Sequence, residues 1–152
     1  MVRTEQTVDQ ILATLAAIGR PNFGVTYEPA NLMLAGEQYG QEALHRLSPH
    51  LFNIYIQNHR FLRADEPAPA HRPYHYQSLG GSVEAGLDVP YENLLLWEEG
   101  GVDTRVVFDG LRAIGWQGVF TIHQAQGIET IEEAEAYAQR CARFVRQQSA
   151  NL

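Results

Sequence analysis

The stretch Leu51 to His59, LFNIYIQNH, constrains the possible fold more than any other part of the chain. Its β-branched and aromatic residues predict a short buried strand that ends abruptly in polar residues. Alternation along the strand puts Phe52, Ile54 and Ile56 on an apolar face. The opposite face is polar and carries Asn53, Tyr55 and Gln57. Because a strand buried in a parallel sheet is normally apolar on both faces, the polar face indicates a site.

Two other stretches show the same division, Asn22 to Glu28 (NFGVTYE) and Gly118 to Gln124 (GVFTIHQ). Each has one apolar face and one face that turns polar toward the carboxyl end. If the three strands are parallel neighbours, their polar ends lie at one edge of a sheet. We therefore expect five side chains to converge there: Glu28, Asn53, Tyr55, Gln57 and His123. The alternative is that these are unrelated polar groups where strands meet loops.

Length and charge limit the classes of protein to which the chain can belong. Its 152 residues suffice for one domain with a core, and its net charge is −7. An acidic protein lacks the basic residues that replace phosphate counterions, so we expect no nucleic-acid partner. No stretch reaches the roughly 18 apolar residues of a membrane span. With Cys141 as its only cysteine, the chain fits a reducing compartment, and we expect a cytoplasmic protein without a membrane partner.

Helical spacing of apolar residues predicts four helices between these strands. The predicted helices are Thr4 to Ile18 with Thr4 as its cap, about Glu37 or Tyr39 to Leu47, about Thr104 to Ile114 capped by Asp103, and a last helix capped by Thr130 that ends near Gln147. Residues expected to face inward on the last two helices are Val106, Val107, Leu111, Ile114, Ile131, Ala134, Tyr137, Ala138, Cys141, Phe144 and Val145. Alternating helices and strands with short connections are typical of βα units in a parallel sheet.

The segment from His59 to Gly101 interrupts this alternation. It is rich in proline and glycine, and we expect one extended piece within it, Tyr91 to Trp97. A long connection after the carboxyl end of a strand is usually functional or disordered, and we favour a functional loop over an inert insertion. Trp97 and Glu98 near its end suit a sugar-stacking wall and a hydrogen-bond acceptor. The alternative is a buried Trp that anchors the loop.

Three ordered patterns resemble one known family. They are GVTYEPANLMLAG (Gly24 to Gly36), LSPHLFNIYIQNH (Leu47 to His59) and GGVDTRVVFDGLRAIGWQGVFTIHQ (Gly100 to Gln124). Together they resemble the carboxyl-terminal half of the sugar phosphate isomerase/epimerase group, whose fold is a xylose-isomerase-like TIM barrel. The resemblance implies an α/β fold, with residues 1–152 as a single domain that forms part of a (β/α)8 barrel. That part consists of the last three βα units preceded by one helix.

The family binds a divalent metal through carboxylates and a histidine at strand ends, and this chain departs from that ligand set. The matching positions hold Glu28, Asn31, Asn53, Tyr55, Gln57, Asn58 and His123. The resemblance leaves Glu28 and His123 as candidate metal ligands. Such a mixed site suits manganese or zinc better than magnesium, because a borderline metal accepts imidazole more readily.

The resemblance implies an isomerase or epimerase that acts on a small sugar, sugar phosphate or polyol by proton transfer next to a carbonyl, with divalent-metal assistance. Glu28 and His123 are the candidate catalytic residues. The candidate substrate-binding residues are Asn31, Asn53, Tyr55, Gln57, Asn58, His59, Trp97 and Glu98. The alternative is a non-catalytic carbohydrate-binding or degenerate barrel piece without a metal site. A third possibility, endonuclease IV-like cleavage, is disfavoured by the acidic charge and the missing metal cluster.

A complete barrel of this kind needs eight strands and about 250 residues, whereas the sequence predicts three parallel strands. The two edges of such a sheet would have unpaired backbone groups. We therefore expect either a homo-oligomer or completion of the barrel by a missing amino-terminal half.

Overall fold

The structure is a computed structural model that describes residues 1–4, 6–62, 74–78, 88–122 and 128–150. For residues 3, 74–78 and 88–90 it describes the backbone only. The predicted site residue His123 lies outside the described residues. Most of the proline-rich part of the long connection lies outside them as well.

A parallel sheet forms the centre of the described chain. Its strand order is β1 (Val2–Arg3), β2 (Val25–Tyr27), β3 (Leu51–Ile56) and β7 (Phe120–Ile122). All three strand pairings are parallel. The sequence predicts three parallel strands, whereas this sheet has four. The additional strand is β1, which precedes the first helix and pairs with β2. The architecture is α/β with an open parallel sheet, and the barrel is not closed in the described chain.

The first helix is α1 (Val8–Ile18). Because it begins at Val8, the predicted cap at Thr4 is wrong. The cap is Thr7, whose hydroxyl accepts a hydrogen bond from the Gln10 N–H across 3.3 Å. The Gln10 side chain accepts one from the Thr7 N–H across 3.1 Å, which completes a capping box. Thr4 lies before the helix and is fully buried, where it contacts Glu28 instead.

A short helix, α2 (Pro29–Leu34), begins directly after β2. The sequence instead predicts a turn around Pro29 and Ala30, because proline is common in turns. Proline at the first helical position fits because its fixed φ suits a helix and its missing N–H has no partner there. The next helix is α3 (Gln41–Leu47), which continues as a 3-10 turn, Ser48–His50. Helices α4 (Thr104–Ala113) and α5 (Ile131–Ser149) have the predicted caps, Asp103 and Thr130.

The long connection contains a second, antiparallel sheet that the sequence does not predict. Its strands are β4 (His59–Phe61), β5 (Tyr74–Ser78) and β6 (Asp88–Asn93), in the order β4-β6-β5. The predicted strand through His59 therefore ends at Ile56, and His59 begins a new strand. The extended piece that was expected at Tyr91 to Trp97 lies earlier, in β6.

The core lies between the apolar face of the parallel sheet and the helices. Fully buried members include Tyr27 and Ile54 from the sheet and Ile11, Leu44 and Leu111 from three helices. Burial also raises the pKa of the Tyr27 phenol, whose hydroxyl donates to the Tyr39 carbonyl.

Three residues that were expected to face inward are exposed: Val106, Ile131 and Ala138. The buried residues of α5, Cys141 and Val145, lie in its second half. Ile131 at the amino end of α5 lies outside the core, and helical spacing alone does not show where packing stops. No helix of the described residues is both long and apolar enough to cross a membrane.

Candidate functional site

Glu28 is the buried carboxylate of the candidate site. It lies between β2 and α2 and is 0% exposed. Its backbone N–H donates to the Thr4 hydroxyl across 2.7 Å, and that hydroxyl donates to the Glu28 carbonyl across 2.9 Å. The Asn31 amide, one helical turn later, donates to Oε2 of Glu28 across 2.8 Å. The end of β2 is thus fixed by two threonine contacts, and its carboxylate points toward amide donors.

Residues after β3 reach the same carboxylate. Nε2 of Gln57 donates to Oε2 of Glu28 across 3.1 Å. Oε1 of Gln57 lies 2.8 Å from Nε2 of His59, and the His59 ring lies 4.8 Å from the Tyr91 ring, centroid to centroid. Gln57 and His59 are both buried. The ends of β2 and β3 therefore share one buried polar cluster, Glu28, Asn31, Gln57 and His59, which we call the Glu28 cluster.

The polar face of the parallel sheet continues beside this cluster. The register aligns Thr26 with Asn53 and Tyr55 with Thr121, so polar residues of three strands share a face. Nδ2 of Asn53 donates to the Thr121 hydroxyl across 3.1 Å, which links β3 to β7. Asn53 and Tyr55 are both half-buried on this face. Their predicted contacts with a substrate stay predictions.

Asn58 holds the end of the long connection. Its Nδ2 donates to the carbonyls of Leu95 and Glu98, each across 2.9 Å. Its Oδ1 accepts the Val102 N–H across 2.9 Å. All these contacts are to backbone groups of one loop, so Asn58 shapes the loop that borders the site. Its predicted contact with a substrate stays a prediction.

Trp97 packs against α5. The Arg140 guanidinium lies 3.7 Å from its ring centroid, and the Tyr137 ring lies 5.8 Å away. These are the contacts of a loop anchor, the alternative to a sugar-stacking wall. Trp97 and Glu98 also line a cavity of about 510 Å³ between this loop and helices α4 and α5. Glu98 accepts the Leu95 N–H across 2.6 Å, so its carboxylate also contacts the loop backbone.

Sequence reasoning missed several residues that the structure places near the cluster. The sequence predicts Thr4 as a helix cap and places Thr121 in a strand. Glu92 is 3% exposed and pairs with the half-buried Arg60 across β4 and β6. No local signal marks these residues, because their contacts join segments far apart in sequence.

The described residues do not fit a divalent metal. Within them no group of three His, Cys, Asp or Glu side chains is close enough to hold an ion. Oε2 of Glu28 accepts two amide donors, and an N–H pointed at a carboxylate oxygen occupies the position where a cation would bind. His123, the second predicted ligand, lies outside the described residues.

The α/β fold with its parallel sheet is similar to that of a solved structure. The structure is similar to the crystal structure of a xylose isomerase domain protein from Planctomyces limnophilus, with a TM-score of 0.63 and 23% sequence identity. The match covers 97% of this chain and 44% of that protein, so the chain spans less than half the length of its structural neighbour. No family model matches the sequence, and no curated protein matches it.

Proposed function

We propose that this chain carries part of an isomerase or epimerase site for a small sugar, sugar phosphate or polyol. The observation that carries the proposal is the buried Glu28 carboxylate, which meets the amides of Asn31 and Gln57 at the ends of two parallel strands. Carboxylates and amides are the usual partners of sugar hydroxyls, since together they supply acceptors and donors. In α/β barrels the carboxyl ends of the strands are where active sites lie.

The proposed chemistry is proton transfer next to a carbonyl. Glu28 accepts the proton from the carbon beside the carbonyl, and amide donors of the Glu28 cluster stabilise the enediolate oxygen that forms. The proton then returns to the same or the neighbouring carbon, which gives epimerisation or isomerisation. His123 is the second acid or base in this proposal. No step is assigned to a metal, because the described donor set does not suit one.

The position in the barrel is part of the proposal. We assign the chain to the carboxyl-terminal part of a xylose-isomerase-like barrel, on the order of the three sequence patterns. In this assignment β2, β3 and β7 are the last three strands of the barrel, and β1 belongs to the strand before them.

Solvent hydrogen exchange tests the proposed chemistry most directly. The protein is incubated in D2O with a panel of ketoses, aldoses and their phosphates, and loss of the C–H signal next to the carbonyl is followed by NMR. We expect exchange with one member of the panel and a loss of about 100-fold or more in Glu28→Gln. Glu99→Gln, an exposed carboxylate in the neighbouring loop, is the control. Absence of exchange across the panel contradicts the proposal.

A second candidate function is carbohydrate binding without catalysis. Two amides already donate hydrogen bonds to Oε2 of Glu28, which makes this oxygen a weaker proton acceptor. The described residues also contain no group of metal ligands. Both observations favour binding without catalysis. Saturation-transfer NMR on the same panel separates the two. Binding without exchange supports the binding module, and metal analysis of the purified protein shows whether any ion accompanies either activity.

A further inference from the structure

Within the Glu28 cluster, one amide connects a carboxylate to an imidazole. Gln57 donates through Nε2 to Oε2 of Glu28 across 3.1 Å, and its Oε1 lies 2.8 Å from Nε2 of His59. The two ends of a single side chain thus contact two ionisable groups. All three residues are buried, so water does not take the place of these contacts.

The orientation of the Gln57 amide follows from its contact with Glu28. An amide turned the other way would place Oε1 of Gln57 beside Oε2 of Glu28, an oxygen that already accepts the Asn31 amide, and two acceptors repel. The NH2 group of Gln57 therefore faces Glu28, and its oxygen faces His59. An amide oxygen only accepts hydrogen bonds, so the proton of this contact belongs to Nε2 of His59.

We propose that Gln57 is a positioning residue that fixes the protonation pattern of the His59 ring. In the neutral ring, a proton held on Nε2 leaves the lone pair on Nδ1, which makes Nδ1 the proton-accepting atom. The pattern depends on Glu28, because Glu28 sets the direction of the amide. His59, a candidate substrate-binding residue, then contributes to the proposed reaction through a ring of fixed tautomer. This role rests on the proposed function, whereas the tautomer itself does not.

Asn31 provides a matched control for this arrangement. Its amide also donates to Oε2 of Glu28, across 2.8 Å, and it is as deeply buried as Gln57. Only Gln57 continues to His59. Substitution of either residue removes one hydrogen bond from the same carboxylate oxygen, but only the substitution at Gln57 releases the imidazole.

The test is 15N NMR of the imidazole side chains, with the His59 signals assigned through His59→Asn. In the wild type at neutral pH we expect a protonated Nε2, seen as a slowly exchanging N–H, and an unprotonated Nδ1. Gln57→Met should remove the slowly exchanging signal, because the acceptor that supports the N–H is lost. Asn31→Leu should retain that signal.

An unprotonated Nε2 of His59 in the wild type overturns the proposal. Equal effects of Gln57→Met and Asn31→Leu on the ring also overturn it, because they would mean that the amides only pack the cluster. Hydrogen exchange on the sugar panel is measured separately. A confirmed tautomer without any exchange contradicts the catalytic role and leaves the positioning of His59 intact.

Discussion

The side-chain oxygen of Asn58 occupies the space that a Cβ on Gly101 would take. A Cβ at position 101 would lie 2.2 Å from Oδ1 of Asn58 and 2.4 Å from the carbonyl oxygen of His59. Asn58 also bonds to three backbone groups of the same loop. The loop beside the candidate site is therefore closed over Asn58, and Gly101 permits this because it has no side chain.

Substitution of Gly101 by alanine should destabilise the protein. The new methyl group would meet a backbone carbonyl that cannot rotate away, and overpacking of this kind costs about 1–3 kcal/mol. We expect a lower urea midpoint with an unchanged slope. Glu99→Ala, at an exposed position of the same loop, is the control and should leave the midpoint unchanged. Equal midpoints for Gly101→Ala and the wild type would contradict the close contact.

Substitution of Thr4 by valine should also destabilise the protein. The Thr4 hydroxyl is the acceptor for the buried Glu28 N–H, and valine leaves that N–H without its partner. An unsatisfied buried group of this kind costs about 1–3 kcal/mol. Thr4→Ser keeps the hydroxyl and should retain most of the stability, as measured by urea unfolding. A similar loss in both variants would show that the methyl group matters more than the hydrogen bonds.

The amino end of α5 should lose stability in acid. Backbone N–H groups of Glu129 and Thr130 donate to the Glu133 carboxylate and hold its pKa below the ordinary value of 4.5. Because the folded-state pKa is lowered, this contribution is complete above pH 4.5 and disappears as the pH falls through the lowered pKa.

Glu133→Gln tests this sign. Its melting temperature should lie below that of the wild type at neutral pH, and the difference should shrink in acid, because glutamine does not titrate. Glu132→Gln changes the charge by the same amount in the same helical turn and is the control. A difference that stays constant with pH would assign the effect to something other than the Glu133 carboxylate.

The protein should associate in solution. In the described sheet β1 and β7 are the outermost strands, and outer strands have backbone groups available for pairing with another strand. We expect sedimentation at micromolar concentrations to depend on concentration. Val119→Lys, at a residue 68% exposed beside β7, should weaken association, because charges at a sheet edge oppose strand pairing.

Val106→Lys is the matched control for association, since Val106 is 43% exposed on α4. It adds the same charge away from the sheet edge and should leave association unchanged. A monomer at all concentrations would contradict the prediction. Equal effects of the two lysines would assign association to a surface other than the β7 edge.

Local rules predicted most of the regular structure. Asp103 and Thr130 cap their helices as expected, and Gly19 ends α1 in the left-handed conformation. A cap involves residues two to four positions apart, so the sequence contains both partners. The division of β3 into an apolar and a polar face was also readable, since alternation is a local property of any strand.

Local residue patterns predicted the α/β alternation, the caps of α4 and α5 and the polar faces of the strands. Which of the polar groups meet depends on the tertiary structure. Thr4 joins Glu28, Gln57 joins Glu28 and Asn58 joins Val102 across 24, 29 and 44 positions of the chain. The antiparallel sheet of the long connection likewise forms through tertiary contacts, because β4 and β5 both pair with β6. Such contacts depend on strand register and loop closure, which bring distant segments together and which no local pattern of residues encodes.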